Sequence, residues 1–113
     1  MALQNVIGGS EAGLVEAGVS AAGTTQATAT ILYAQDSEVT TVASGAGVIL
    51  NPLISATEEQ TVFNAGANAL KIYPPSGMKI NALPTNTAMS LSTNTGVLLR
   101  CVSATRIFGV LSA

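Results

Sequence analysis

From residue 23 onward, polar and apolar side chains alternate along most of the chain. Successive side chains of a β-strand point to opposite faces, so this period of two is typical of a strand with one buried face. A turn is predicted at Asp36-Ser37, and Asn51-Pro52 is expected to end a strand. In this first half, the predicted strands are residues 24–33, 39–43 and 48–50.

The second half of the chain shows the clearest alternation. Residues 60–64 and 68–73 are two β-type runs joined by a short loop that contains Gly66, and this pattern predicts a β-hairpin. The sequence PPSG ends the second run, because neither proline can donate a backbone hydrogen bond to a sheet. Residues 93–96 predict a turn with a positive φ at Gly96. The remaining predicted strands are residues 78–82, 89–91, 97–102 and 105–111.

These runs predict the fold class. They amount to about eight or nine short strands at roughly 8–12-residue spacing. Such spacing predicts an all-β fold, an antiparallel sandwich or barrel-like domain, which we assign to residues 23–113. The sequence shows neither a repeat of fixed period nor a second domain, and its length suits one domain.

Residues 1–22 differ from the rest of the chain. Their apolar positions nearly follow a helical period, but four glycines interrupt it, and each costs about 1 kcal/mol in a helix interior. We therefore predict an extended N-terminal arm that becomes ordered on a partner, with a short helix as the alternative. Because its apolar residues argue against a solvated linker, we expect this arm to carry part of a contact with a neighbouring protomer or a larger assembly.

The composition is poor in charge. Only 9% of the 113 residues are charged, with a net charge of −2, whereas soluble domains average about 25%. A folded monomer of this mass exposes roughly 5,700 Å², of which the charged side chains, at about 100 Å² each, would cover under a fifth. We infer a surface that becomes buried in an assembly. The alternative is a neutral, threonine-rich monomeric domain.

Charge and composition also exclude several functions. Four scattered basic residues cannot follow a run of phosphates, which argues against a nucleic-acid partner. No apolar stretch is long enough for a membrane span, and residues 1–10 lack the pattern of a signal peptide, so we expect synthesis in a reducing cytoplasm without export. With no histidine and one cysteine, the chain lacks the usual zinc sites and histidine-based triads. We expect neither cofactor nor metal.

The acidic residues and the cysteine do not form an evident catalytic set. Asp36 and Glu38 could share a face beside a turn, whereas Glu58 and Glu59 are adjacent and point to opposite faces of a strand. We interpret these carboxylates as solvated surface charges. Cys101 has no histidine to act as its base, and its alternating position predicts a small core residue.

The lysines and tyrosines are candidates for contact with a partner. Lys71 and Lys79 flank the PPSG turn, where they would either blunt exposed strand edges or form ion pairs with a partner. Tyr33 and Tyr73 are the only candidates for a stacking platform for sugars or bases. We interpret each as a strand-end residue with its hydroxyl in water.

One segment of the sequence is distinctive. Residues 64–81, NAGANALKIYPPSGMKIN, resemble small virion proteins of tailed bacteriophages, in which an N-x-G-x-N-x-L-x-[VI]-Y-P-P-x-G-x-x-I-N run follows a strand like GTTQATAT, found here at residues 23–30. The SATR stretch at residues 103–106 is similar to the closing turn before the last strand of that family. Phe108 stands where family members often carry two aromatic residues.

The resemblance covers most of residues 23–113 and implies a function. Such proteins include capsid decoration (cement) proteins and other small head and tail accessory proteins. It implies a non-enzymatic homotrimer on the capsid exterior of a virion, where it binds the major capsid protein and staples neighbouring subunits. The alternatives are a head-fibre, neck or tail accessory protein, or a receptor- or sugar-binding virion module. An enzyme using Glu38 or Glu59 is the weakest alternative.

Overall fold

The computed structural model describes residues 11–112, with the backbone alone over residues 11–13. This part of the chain is built from strands and turns and contains no helix. The ten strands are β1 (Glu11–Ser20), β2 (Thr30–Ile31), β3 (Ala34–Thr41), β4 (Gly47–Ile49), β5 (Glu59–Asn64), β6 (Leu70–Tyr73), β7 (Lys79–Ile80), β8 (Met89–Leu91), β9 (Thr95–Cys101) and β10 (Arg106–Leu111). The predicted all-β class is confirmed.

The strands form two sheets, and the chain passes from one to the other along most of its length. The large sheet has six strands in the order β1-β3-β5-β9-β10-β7, and the small sheet has four in the order β2-β4-β6-β8. From β1 to β8, consecutive strands therefore belong to different sheets. Sequence neighbours do not pair with each other until β9 and β10.

The first six strands wind as a β-solenoid-like arrangement. In the large sheet β1, β3 and β5 pair in parallel, and in the small sheet β2, β4 and β6 do the same. Each passage through both sheets is one coil, so β1–β6 make three coils. The prediction of an antiparallel sandwich or barrel is therefore wrong. Alternation of side chains identifies a strand and its buried face, but it does not identify the strand beside it.

The coils differ in length, which explains why the sequence shows no fixed period. In the large sheet, Asp36 pairs with Val15 of the preceding coil and with Thr61 of the following one. In the small sheet, Val48 pairs in the same way with Thr30 and with Ile72. In both sheets the partner in the following coil is farther away along the chain than the partner in the preceding coil. The extra residues lie in the connections between sheets, where insertions are tolerated better than in strands.

Antiparallel strands end the parallel coils. Strand β9 pairs antiparallel with β5 and with β10, and β8 pairs antiparallel with β6. The short strand β7 then pairs in parallel with β10 at the edge of the large sheet. The predicted strands over residues 97–102 and 105–111 are thus confirmed, and they form the one hairpin of adjacent strands in the described residues.

The core lies between the sheets. Inward positions alternate with outward ones along β5 and β9. Aliphatic side chains dominate this core because β-branched and branched aliphatic residues pack well on a pleated surface. The completely buried apolar side chains are Leu32, Val39, Val48, Leu50, Leu70, Ile72, Ile80, Leu91, Leu99 and Ile107.

The loop after β5 is a corner between the sheets, so the predicted hairpin over residues 60–73 is wrong. Asn64 is completely buried, and its Oδ1 accepts a hydrogen bond from the Gly66 N–H at 2.9 Å. Its Nδ2 donates to the carbonyls of Asn68 and Leu91, both at 2.9 Å. One side chain thus satisfies backbone groups of the corner and of the next layer. A Cβ on Gly66 would lie 2.6 Å from Cγ2 of Val42 in the preceding coil.

A second buried amide holds the opposite corner. The Nε2 of Gln60 donates to the carbonyls of Leu32 (2.9 Å) and Ala34 (3.0 Å), and its Oε1 accepts from the Asn51 N–H at 2.9 Å. The side chain of Gln60 therefore joins the corner after β2 to the corner after β4. Gln60 and Asn64 lie on the inner face of the same strand, one near each end of β5.

Three local predictions are corrected. Asp36-Ser37 lies inside β3 rather than in a turn, since its neighbours β1 and β5 both hydrogen-bond to this segment. Of residues 24–33 only β2 is a strand, because the hydroxyls of Thr25 and Thr28 bond to each other at 2.8 Å and close a turn. In the turn before β9, the positive φ is at Asn94 (62°), not at Gly96.

The boundary predicted for the N-terminal arm is also corrected. Residues 11–20 form β1, which pairs in parallel with β3 as the last described strand of the large sheet. The pairing is irregular, with register shifts along its length and a positive φ at Gly18 (75°). The β domain therefore begins before residue 23, and residues 1–10 lie outside the described residues.

The corner amide of Asn64 yields a test of the fold. We expect Asn64→Leu to lower the free energy of unfolding by at least about 2 kcal/mol, because it leaves buried backbone groups without a partner. Asn68→Leu is the matched control, since Asn68 is exposed and its amide makes one part-buried hydrogen bond, to the Val42 carbonyl. We expect it to cost under about 1 kcal/mol. Urea unfolding followed by circular dichroism measures both, and equal losses would contradict the assigned role.

Candidate functional site: the outer face of the large sheet

The large sheet carries apolar side chains on both faces. Along β9 and β10, Leu99 and Ile107 point into the core, while the alternate residues Leu98, Phe108 and Val110 point away from it. On β5 the same alternation places Phe63 outside. We call the surface formed by the outward side chains of β3, β5, β9, β10 and β7 the outer face.

The strand register makes the apolar side chains of the outer face contiguous. Leu98 lies between Thr61 of β5 and Val110 of β10, and Phe108 lies beside Arg100. The exposed fractions are 37% for Leu98, 41% for Phe63, 51% for Val110 and 54% for Phe108. Together these side chains expose about 300 Å² of apolar surface, the size of patch that is often functional on a monomer.

A shallow groove of about 500 Å³ crosses this patch. Phe63, Leu98 and Val110 line it, together with Asp36 from β3. Gly96 leaves the groove open because it carries no side chain beside Phe63, and a Cβ there would lie 3.4 Å from the Phe63 ring. The groove is broad and open, which suits the side chains of another protein better than an enclosed small molecule.

The charges of the outer face are separated by sign. The sheet order places β3 and β5 on one side and β9, β10 and β7 on the other. The outward charged residues on the first side are acidic, and those on the second side are basic. They are Asp36, Glu38 and Glu59 on the acidic side and Arg100, Arg106 and Lys79 on the basic side. The basic side thus holds three of the four cationic side chains of the chain.

One ion pair joins the two sides. The Arg100 guanidinium lies 2.8 Å from the Glu59 carboxylate, across the boundary between β5 and β9. Both side chains are more than one-third exposed, so this pair contributes at most about 1 kcal/mol to stability. On the acidic side, a carboxylate oxygen of Asp36 accepts a hydrogen bond from the Thr61 hydroxyl. Glu38 and Arg106 are exposed at opposite sides of the patch.

Cys101 lies in the core, as predicted. Burial raises the pKa of its thiol above the ordinary value of 9.0, a backbone hydrogen bond at Ser103 opposes this rise, and the Glu58 charge adds to it. The Sγ–H also donates to the Ser103 carbonyl at 3.2 Å. A raised pKa leaves little thiolate at neutral pH, and a thiol is a weak nucleophile. The position and the pKa of Cys101 both suit a packing role.

Glu58 and Glu59 have separate partners. The Oε1 of Glu58 accepts hydrogen bonds from the Ser55 N–H (2.9 Å) and the Ser55 hydroxyl (3.3 Å), which holds the turn before β5. Glu59 is paired with Arg100 on the outer face. Within residues 11–112, no group of three or more histidine, cysteine or acidic side chains is close enough to hold a metal ion.

The structure separates the two tyrosines. Tyr73 is buried and its hydroxyl donates to the Thr24 carbonyl at 3.0 Å, so the prediction of a hydroxyl in water is wrong for this residue. Tyr33 is about half exposed, at the end of the short connection between β2 and β3. The two side chains therefore do not form a joint stacking platform.

The two lysines also differ. Lys79 lies on β7, the last strand of the large sheet, which confirms the prediction of a lysine at a strand edge. Lys71 lies on β6, which has β4 on one side and β8 on the other, so this lysine does not blunt an edge. It lines an open cleft of about 640 Å³ together with Asn86 and Ser90. The Oδ1 of Asn86 already accepts a hydrogen bond from the Gly77 N–H.

The sequence carries a signal for the outer face that the strand prediction alone does not use. A strand with one buried face alternates apolar and polar residues, whereas Val97, Leu98 and Leu99 are consecutive and apolar, as are Ile107 and Phe108. Continuous apolar runs are typical of strands covered on both faces. The core covers one face of β9 and β10.

Among residues 11–112, the structure contains no helix with the length and apolar character needed to cross a membrane.

Compared with known proteins, the chain matches no family model, no curated protein and no solved structure.

The raised pKa of Cys101 predicts a pH dependence of stability. As the pH rises past 9, the thiol of the unfolded chain ionises before that of the folded chain, so the free energy of unfolding falls until the pH also exceeds the folded pKa. We expect this alkaline decrease to be smaller in Cys101→Ala. Urea unfolding of both proteins between about pH 7 and pH 10.5 measures the difference. Parallel pH profiles would contradict the raised pKa.

Proposed function

We propose that this chain is a capsid decoration protein of a tailed bacteriophage, which binds the exterior of the head as a homotrimer and staples neighbouring major capsid proteins. The observation that carries the proposed assembly role is the outer face, an apolar sheet surface on a protein with few charges. Such a surface is stable in water only at a cost, and contact with protein removes that cost. The resemblance of residues 64–81 to phage virion proteins supports the virion as the location.

Residues 64–81, which resemble the phage virion proteins, occupy positions that stabilise the fold. Their first residues, Asn64 and Gly66, form the corner between the sheets, and the Tyr73 hydroxyl donates to the Thr24 carbonyl of the first coil. Gly77 has a φ of 87°, a conformation that glycine adopts at little cost. The segment therefore stabilises the coils, and we expect its role to be mainly structural.

The proposed mechanism is mechanical rather than chemical. A compact β domain with buried corner amides changes shape little, so it transmits load between the subunits it touches. When several copies bind one shell, each contact can be weak while the whole assembly binds tightly, because the second contact of a linked set is intramolecular. Separation of two capsid subunits would then require several contacts to break together.

The other candidates differ in location or in ligand. A head-fibre, neck or tail accessory protein would use the same kind of surface, and only its position on the virion would differ. A sugar-binding module would need an exposed aromatic platform, whereas Tyr73 is buried and its hydroxyl is bonded. Because Tyr33, Phe63 and Phe108 are exposed, binding of the isolated protein to a glycan array is the result that would favour the sugar-binding candidate.

Binding to phage heads tests the proposed function. Purified protein is mixed with mature heads from a phage that lacks its gene, and bound protein is measured after gradient sedimentation. We expect saturable binding at a ratio consistent with icosahedral symmetry, together with a higher temperature of head rupture. Isolated tails are the control. Binding to tails alone would favour the accessory role, and binding to neither particle would refute the proposal.

The sequence-based expectation for the N-terminal arm has its own test. Residues 11–20 belong to the β domain, so deletion of residues 1–10 leaves every described strand in place. We expect the shortened chain to fold with unchanged circular dichroism and to bind heads at least about tenfold more weakly, a loss of about 1.4 kcal/mol. Unchanged binding would show that these residues are not part of the contact.

A further inference from the structure

We infer that the outer face is where copies of this chain meet, with the acidic side of one copy against the basic side of the next around a three-fold axis. This inference rests on the proposed function for the number of copies. Beyond the number of copies, the inference identifies the surface where the copies meet, the separation of charge on that surface and the residues that determine this separation. The partner on this face is therefore a second copy of the chain, not the capsid shell.

The separation of charge is the first reason to choose a second copy. Asp36 and Glu38 lie on the acidic side, and Arg106 and Lys79 lie on the basic side, with the apolar patch between them. A partner that covers the whole face must match both signs. A rotated copy of the same face supplies both, because its basic side can lie against the acidic side of its neighbour.

The apolar patch between the charges is the second reason. Three outer faces that surround a three-fold axis bring their central side chains together, so that Leu98, Phe63 and Val110 of each copy leave water. The exposed aromatic side chains Phe63 and Phe108 are of the type enriched at the centres of protein interfaces. The charged residues then form the rim, which sets the register of the contact.

The outer face offers a limited area. Its five strands, about 4.8 Å apart and about six residues long, span roughly 19 by 20 Å before side chains are added. A standard interface takes roughly 800 Å² from each partner, so each pairwise contact through this face is small. In a ring, each copy divides its face between two neighbours, and the contact is heterologous and closed.

Variants of Leu98 test the surface directly. By native mass spectrometry, we expect the purified wild-type protein to have three times the 11.3 kDa mass of one chain. Leu98→Asp should reduce this to the mass of one chain, because three carboxylates would be buried near the axis. Leu53→Asp is the matched control, since Leu53 is 73% exposed in the connection between β4 and β5. It should remain trimeric.

Folding is checked separately for each variant. Leu98 points outward and Asp is compatible with an exposed strand position, so the circular dichroism of Leu98→Asp should match the wild type at low temperature. A folded Leu98→Asp that is still trimeric would overturn the inference. So would a wild-type protein that is monomeric or dimeric.

Charge exchange tests the polarity. Glu38→Arg and Arg106→Glu should each raise the concentration for half-assembly at least tenfold, and the double variant should restore most of this loss. An equimolar mixture of the two single variants should not regain wild-type stability, because a ring of three cannot alternate two variants. Restoration in the mixture, or the lack of restoration in the double variant, would overturn the head-to-tail ring.

These outcomes are independent of capsid binding. If the trimer forms through this face but does not bind heads, the inference stands and the proposed function fails. If heads bind the protein while Leu98→Asp remains trimeric, the proposed function stands and the inference fails. In both cases the mass of the free protein and the binding to heads are separate measurements.

Discussion

The fold depends on the need to satisfy backbone polar groups where the chain turns from one sheet to the other. Where the chain leaves a sheet, the ladder of β-sheet hydrogen bonds stops, and the buried backbone groups there need other partners. Strand β5 provides hydrogen-bond partners for such groups near both of its ends. Gln60 bonds to the backbone of Leu32, Ala34 and Asn51, and Asn64 bonds to that of Gly66, Asn68 and Leu91. A central strand with amides at its ends and Val62 between them therefore fixes the stacking of the coils.

This arrangement separates the packed interior of the molecule from the connections between sheets, which vary in length. The interior is aliphatic, and the corner amides bond to the backbone, which every residue type possesses. The coils can therefore differ in length while the layers remain in register. The outer face is independent of these constraints, because its side chains do not contribute to the core. Leu98 and Phe108 are consequently available for contact with another protein, whereas Leu99 and Ile107 beside them are not.

Much of the secondary structure could be predicted from the sequence, whereas the pairing of the strands could not. Residues 60–64, 89–91 and 105–111 show the alternation of strands and are close to β5, β8 and β10. Alternation shows which face of a strand is buried, but it does not show which strand pairs with it. The short loop around Gly66 therefore predicts a hairpin, whereas the structure has a corner between the two sheets there. The Asp36-Ser37 pair resembled a turn because both residue types favour turns, but pairing with β1 and β5 on either side overrides that local preference. The composition predicts a surface that becomes buried in an assembly, which stays a prediction, and it gives no position for the exposed apolar patch. Its location required the register of β5, β9 and β10.

The antiparallel strands β8 and β9 have a consequence for growth of the structure. A parallel solenoid presents at each end a template on which another coil, or another molecule, could stack without limit and produce a fibre. Here β8 and β9 reverse direction on one end, and the shifted register and left-handed backbone at Gly18 make β1 a poor template at the other. Stacking of further coils on the described strands is therefore disfavoured. A contact through the outer face, which lies to the side of the solenoid axis, does not require such stacking.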